Sequence, residues 1–299
     1  MSRDSIAEAD SESVKCNLCG SSQSEMLYNV RSFNIVRCAV CRLVYVNPRL
    51  SVHRLKKIYN APDYYDGGYP DYKSKRRFIR WESGALLRNI GRFMGKASGR
   101  ILDVGCSFGY FLDAAREMGY EARGIEISEH ASIYARDELG LDVKTWSLDE
   151  AVFDPEAFDV VTMWDVLEHL TDPQASLEKI HGWLRPGGIL ALATPNLGSP
   201  LARWTQGRWE QIKPEYHLYY FTKDTVKDMC EAAGFSVLRI STIGLGGTCK
   251  LITGNRCVPA RADCLITDTS RFKLFVKQMV NMFSEITRTG EKLYVYARK

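Results

Sequence analysis

The chain has 299 residues, 45% hydrophobic, 25% charged and 11% aromatic, enough for one large domain, a small appendage and a sizeable core. Its formal net charge of +4 is mild and does not by itself argue for a nucleic-acid partner. No run approaches the roughly 18 apolar residues of a membrane span, and residues 1–13 (MSRDSIAEADSES) are polar and acidic, the opposite of an export signal, so a disordered tail and a cytoplasmic location are expected.

Residues 14–50 carry Cys16-Asn-Leu-Cys19 and Cys38-Ala-Val-Cys41, two CxxC turns separated by 18 residues. Each turn aims two thiolates at one centre, and the paired spacing suits a tetrahedral sulfur cage for structural zinc. Gly20 gives the backbone room to turn after the first pair. The alternatives are a redox CxxC, which needs no twin, or two buried thiol pairs. Four protein ligands leave no open position, so Cys16, Cys19, Cys38 and Cys41 point to a ribbon that zinc stabilises and not to a catalytic metal. The other five cysteines (Cys106, Cys230, Cys249, Cys257 and Cys264) are scattered and the total of nine is odd, which argues for a reducing compartment.

Residues 51–98 read as a helical lid or linker with helical periodicity from about Arg76. Tyr59, Tyr64, Tyr65, Tyr69 and Tyr72 precede Lys73-Ser-Lys-Arg-Arg77 and Arg80. Two readings stand: a lid whose basic residues meet a phosphate, or a solvated helix face with tyrosines packed on the core.

Residues 99–299 read as one domain with an insertion at about 244–290. Strands are expected at Arg100–Val104, Glu121–Ile127, Leu141–Lys144, Phe158–Trp164 and Ile189–Thr194. Helices are expected at Phe108–Met118, Glu129–Leu139 and Asp172–Leu184, the last with a capping Asp before Pro173. This order means an α/β fold with a parallel sheet covered on both faces. Ligands of such sheets bind outside the carboxyl ends of the strands. There, Asp103-Val-Gly105-Cys-Ser-Phe-Gly109 has Gly-x-x-x-Gly spacing, which matches neither the dinucleotide nor the Walker fingerprint. Glu126, 21 residues after Gly105, is placed to accept hydrogen bonds from both hydroxyls of an unphosphorylated ribose.

Ile101-Leu-Asp-Val-Gly-Cys-Ser-Phe-Gly-Tyr110, Gly124-Ile-Glu-Ile-Ser128, Trp164-Asp-Val-Leu-Glu-His169 and Leu184-Arg-Pro-Gly-Gly188 together resemble the successive motifs of class I S-adenosylmethionine-dependent methyltransferases. The resemblance implies a Rossmann-like, seven-stranded, mostly parallel sheet ending in an antiparallel edge strand, Leu293–Ala297. It also implies that Asp103, Gly105, Cys106 and the backbone near Gly109 hold the methionine end of the cofactor, that Glu126 binds the ribose and that Ile127 packs on the adenine. Ser147 and Leu148 then meet the adenine edge, and Trp164 and Asp165 border the sulfonium. With the ribbon in front and Pro214-Glu-Tyr-His-Leu-Tyr-Tyr-Phe-Thr222 behind, the chain is similar to bacterial enzymes that methylate sugars and other small metabolites.

A hydroxyl acceptor needs a base, and the candidates are His217 and His169 with Tyr216 and Glu215 as helpers. Structural roles for both histidines are the alternative. Trp204, Trp209, Tyr216, Tyr219 and Tyr220 form an aromatic cluster able to stack on sugar or base faces. The leading expectation is O-methylation of a sugar, a nucleotide-linked sugar or another small metabolite. The rivals are an RNA methyltransferase docking through the ribbon and a non-enzymatic cofactor-binding module. Helical apolar spacing over residues 271–288 suggests core packing or a homodimer contact, with a lipid-surface role left open by its lysines and arginine.

Overall fold

The computed structural model describes residues 10–59, 76–244, 284 and 289–299. The N-terminal part contains β1 (Ser11–Glu12), β2 (Ser24–Val30), β3 (Phe33–Cys38), β4 (Val44–Val46), β5 (Arg49–Leu50) and helix α1 (Val52–Tyr59). Then come α2 (Arg76–Met94), β6 (Arg100–Val104), α3 (Tyr110–Glu117), β7 (Glu121–Ile125), α4 (Glu129–Asp137), β8 (Asp142–Lys144) and β9 (Phe158–Trp164). The chain continues with α5 (Pro173–Trp183), β10 (Leu184–Pro195), α6 (Pro200–Thr205), β11 (Tyr219–Tyr220), α7 (Lys223–Ala232), β12 (Ser236–Ile243) and β13 (Lys292–Arg298).

The main sheet has seven strands in the order β12-β13-β10-β9-β6-β7-β8. Every pairing from β10 to β8 is parallel, and β13 alone runs against its neighbours. The central strands are apolar because both faces are covered. On one face Leu102, Val161 and Leu190 pack with Leu177 and Ile180 of α5 and Val226 and Met229 of α7. On the other, Ile101, Val160 and Ala191 pack with Leu87 and Ile90 of α2 and Phe111 of α3. The single-residue alternation of these positions follows the pleat.

Helix α5 starts as its sequence dictates: the Asp172 carboxylate accepts the Ala175 N–H at 3.0 Å, with Pro173 in the first turn. Gly109 precedes α3 at φ 79°, and a Cβ there would stand 2.5 Å from Leu141 Cδ1 and 3.1 Å from Ala135 Cβ. The residue lets α3 close on α4 and the start of β8. Gly109→Ala is therefore expected to lose about 2–4 kcal/mol, combining left-handed strain with overpacking. A lowered denaturation midpoint would show this, and an unchanged one would mean that Leu141 yields without penalty.

Four expectations change. Leu293–Ala297 is not an edge strand: β13 lies between β10 and β12, and Leu293, Val295 and Ala297 are buried. Residues 10–13 of the expected disordered tail belong to the fold: β1 pairs antiparallel with β5, and Glu12 accepts from Arg49 Nε at 2.8 Å. Strand β7 stops at Ile125: the Glu126 N–H still donates to the Lys144 carbonyl at 3.0 Å, but its side chain holds two amides of the loops that follow. The ribbon is not closed within 14–50: its four-stranded sheet has the order β11-β4-β3-β2, so Tyr219–Tyr220 supplies the last strand. The proposed lid tyrosines from Tyr64 to Tyr72, most of the insertion and residues 271–288 apart from Ser284 lie outside the described residues.

Candidate active site

The carboxyl ends of β6, β7, β9 and β10 open onto a cavity of about 390 Å³. Its floor is the loop after β6. Gly105 sits there at φ 70°, where a Cβ would come 2.6 Å from Val166 Cγ2, so only a bare backbone fits. Asp103 is buried and accepts from the Thr162 hydroxyl at 2.6 Å. Burial pushes its pKa up to about 8. Glu126 is fixed by two backbone donors, Ser107 N–H and Ser128 N–H, each at 2.8 Å. Ser107 and Asp165 both adopt left-handed backbone, at φ 50° and 58°, a strain that collects at functional turns.

Nine of the ten expected cofactor residues line this cavity: Asp103, Gly105, Cys106, Glu126, Ile127, Ser147, Leu148, Trp164 and Asp165. Gly109 lies behind it in the helix contact described above. Two buried polar atoms on the wall, Ser107 Oγ and Trp164 Nε1, have no hydrogen-bond partner among the described residues. A cavity with such atoms is built for a polar occupant.

Of the four expected acceptor-side residues, only His169 lines the cavity. His169 closes a one-turn 3-10 helix, Leu167–His169, and its Nδ1–H donates to the Tyr216 carbonyl at 3.0 Å. His217 is buried behind it, with ring centroids 4.7 Å apart, and its Nδ1–H donates to the Gln211 carbonyl at 2.9 Å. Tyr216 stacks on His169 at 5.7 Å. Glu215 points to the ribbon, where it pairs with Arg31 at 3.0 Å. Burial holds both imidazoles neutral, with the His169 pKa lowered to about 4 and that of His217 well below its usual value.

Sequence reasoning missed Glu168, Lys292 and Tyr294, the last two on the cavity wall. Glu168 is fully buried, accepts from the Thr194 hydroxyl at 2.9 Å, and is pushed up to about 8 by burial and by the Asp165 carboxylate. Its place one residue before His169 was the available signal. Lys292 starts the last strand and meets Asp165 at 2.5 Å. Burial disfavours its ammonium, but Asp165 holds it charged, with a pKa above the usual value. Nothing in the local sequence marks it, because it reaches the cavity only through the pairing of β13 with β10.

The four spaced cysteines converge, all four sulfurs lying within 4.8 Å of one another. Cys16 and Cys41 approach to 3.4 Å and Cys19 and Cys38 to 3.5 Å. A tetrahedral zinc with Zn–S of about 2.3 Å has S···S edges of about 3.8 Å, so the cage fits that ion with little expansion. The ribbon also packs on the loop that carries His217. Val46 N–H donates to the Leu218 carbonyl at 2.9 Å, and Leu218 N–H donates to the Glu168 carbonyl at 2.8 Å. Trp209, Tyr219 and Tyr220 are buried in this junction, which corrects the expectation that they stack on a ligand; their faces are consumed by packing on the ribbon.

A doubly wound sheet with a glycine turn after its first parallel strand and an anchored acid after its second is the frame on which α/β domains hold nucleotide ligands. Residues 76–240 match the family model described as methyltransferase domain, and the chain belongs to that family. It is 33% identical over 102 residues to a ubiquinone biosynthesis O-methyltransferase of Parvibaculum lavamentivorans, covering 32% of this chain and 40% of that one. To the enzyme of the same name from Azoarcus it is 35% identical over 108 residues, or 34% and 46% of the two chains. The matched stretch thus spans less than half the length of these curated relatives. A solved S-adenosylmethionine-dependent methyltransferase from Archaeoglobus fulgidus superposes with a TM-score of 0.54 at 20% identity, over 79% of this chain and all of that one, and so shares the fold. Among the described residues, no helix is long and apolar enough to cross a membrane.

Proposed function

We propose that the chain transfers a methyl group from S-adenosylmethionine to a hydroxyl of a small metabolite, and that a zinc-loaded ribbon braces the acceptor side of the site. The observation that carries this reading is the cavity itself: Glu126 pinned by two amides on one side of the bare Gly105 turn, and below it Asp103, desolvated and with no cation beside it among the described residues. The orphaned Ser107 and Trp164 atoms fit a polar nucleoside ligand as well. When bound, the cofactor supplies an electrophilic methyl on a sulfonium.

In this reading Asp103, Gly105 and Cys106 receive the methionine end, Glu126 the ribose, and Ile127, Ser147 and Leu148 the adenine. Trp164 and Asp165 border the reacting centre. Lys292 holds Asp165 in its strained turn, and His169 faces the acceptor. His217, Tyr216 and Glu215 act from behind that wall by positioning. The relatives named for ubiquinone O-methylation support an O-methyl product. The RNA rival is not favoured: in the ribbon Arg37 and Arg42 both pair with Glu25, and Arg49 is buried against Glu12.

The test is transfer of a labelled methyl group to a panel of sugars, nucleotide-linked sugars and hydroxylated aromatics, with RNA as a further arm. Transfer to a small hydroxyl compound supports the reading; transfer to RNA alone would replace it with the rival. Asp103 adds a linkage prediction. Its raised pKa means that the carboxyl is largely protonated below about pH 8 in the ligand-free protein. A ligand ammonium favours the carboxylate and lowers that pKa, so binding at pH 6–7 expels close to one proton and affinity climbs with pH toward 8. Calorimetry in buffers of different ionisation enthalpy reads the proton directly, and Asp103→Asn should abolish it. A proton count of zero in the wild type would remove Asp103 from the ammonium site.

A further inference from the structure

Behind the cavity wall, Glu168, His169 and His217 bring one carboxylate oxygen and two imidazole nitrogens within 4.8 Å of one another. Two separate elements supply them, the 3-10 turn after β9 and the loop before β11. Both imidazoles are fastened through Nδ1–H to backbone carbonyls, Tyr216 for one and Gln211 for the other. That bond leaves Nε2 as the basic nitrogen of each neutral ring and fixes its direction, the arrangement that orients metal-bound histidines. Glu168 adds an independent sign. Its Oε2 is held by Thr194, while its buried Oε1 has no hydrogen-bond partner among the described residues. An orphan carboxylate oxygen is costly to bury unless a cation or a proton meets it. The neighbouring Asp165 carboxylate, itself paired to Lys292, adds repulsion that a cation would relieve.

We infer that Glu168, His169 and His217 form a second metal site, distinct from the ribbon, for a first-row divalent transition ion. Two nitrogens and one oxygen without thiolate suit zinc, cobalt, manganese or ferrous iron better than magnesium or calcium. Three protein ligands leave a coordination position open. His169 is the ligand that lines the cavity, so the open position is reached from the acceptor side. A hydroxyl of the acceptor bound there would have its pKa lowered by the charge of the ion. The acceptor class is then one that presents an oxygen ligand, and this part rests on the methyltransferase reading above.

The full-length protein, loaded with ribbon zinc, is incubated with cobalt(II), desalted, and its metals are counted and its visible spectrum recorded. The expected result is one zinc and one cobalt per chain, with weak d–d bands and no thiolate-to-cobalt charge transfer. Glu168→Gln and His217→Asn should each weaken cobalt binding at least about 100-fold while keeping the ribbon zinc, which reports that the fold survives. A wild type that takes up no metal beyond the ribbon zinc overturns the site, as does cobalt binding that both variants leave unchanged. Titration of the same samples with S-adenosylmethionine separates the two readings. Cofactor binding without a second metal removes only the metal site, and a second metal without cofactor binding removes only the methyltransferase reading.

Discussion

Glu126→Ala is expected to weaken S-adenosylmethionine binding at least about 100-fold. A carboxylate accepting two ribose hydroxyls contributes two charge-assisted hydrogen bonds, each about 1.5–3 kcal/mol, and every 1.4 kcal/mol is a factor of ten in affinity. The same substitution strands Ser107 N–H and Ser128 N–H, which Glu126 now satisfies. Glu126→Gln separates the two effects, because the amide oxygen still serves one backbone donor while the charge is gone. The alanine variant should therefore lose more stability than the glutamine variant, and both should lose most of the affinity. Calorimetric titration beside thermal denaturation measures both. If folded Glu126→Ala binds the cofactor as the wild type does, the ribose has been placed on the wrong residue.

Cys38→Ser is expected to release zinc and to lower Tm by about 8–16 °C. Loss of a metal cross-link belongs to the few single changes worth about 4 kcal/mol or more, and at this chain length each kcal/mol moves Tm by about 2–4 °C. The loss should not stop at the ribbon. Phe33, Ile35, Leu43 and Val44 share one buried cluster with Leu218, Tyr219 and Phe221. Leu218 in turn bonds to Glu168 beside the cavity. Methyl transfer should fall in parallel with zinc occupancy, while S-adenosylmethionine binding at the opposite wall falls less. A Cys38→Ser protein that keeps stoichiometric zinc, or that melts where the wild type melts, would show that the four sulfurs hold no structural ion.

The parts of this protein legible in its sequence were those written over short distances. The β6 turn, the acid after β7, the capped start of α5 and the paired CxxC spacing each involve residues close in the chain, and each has one inexpensive physical solution. What could not be read arises from pairing across the chain. Lys292 reaches Asp165 because β13 inserts between β10 and β12. Tyr219 and Tyr220 look like ligand-stacking rings until β11 joins the ribbon sheet and buries them. Glu168 was passed over because a buried carboxylate is recognised by what surrounds it, and its surroundings come from Thr194, Asp165 and the loop before β11.

The strand that closes the ribbon also sets an order of events for the chain as it folds. Arg49 at the ribbon's exit bonds to the Tyr219 hydroxyl across 170 residues of sequence. A nascent chain therefore completes the ribbon only after most of the sheet has been synthesised, and β4 waits until then with an unpaired edge. Contacts of such separation slow folding, and an exposed edge invites pairing with another chain. Metal captured early by the four cysteines would hold the nascent hairpins in register through that interval, so zinc supply during expression should govern how much protein folds as well as how stable it is once folded.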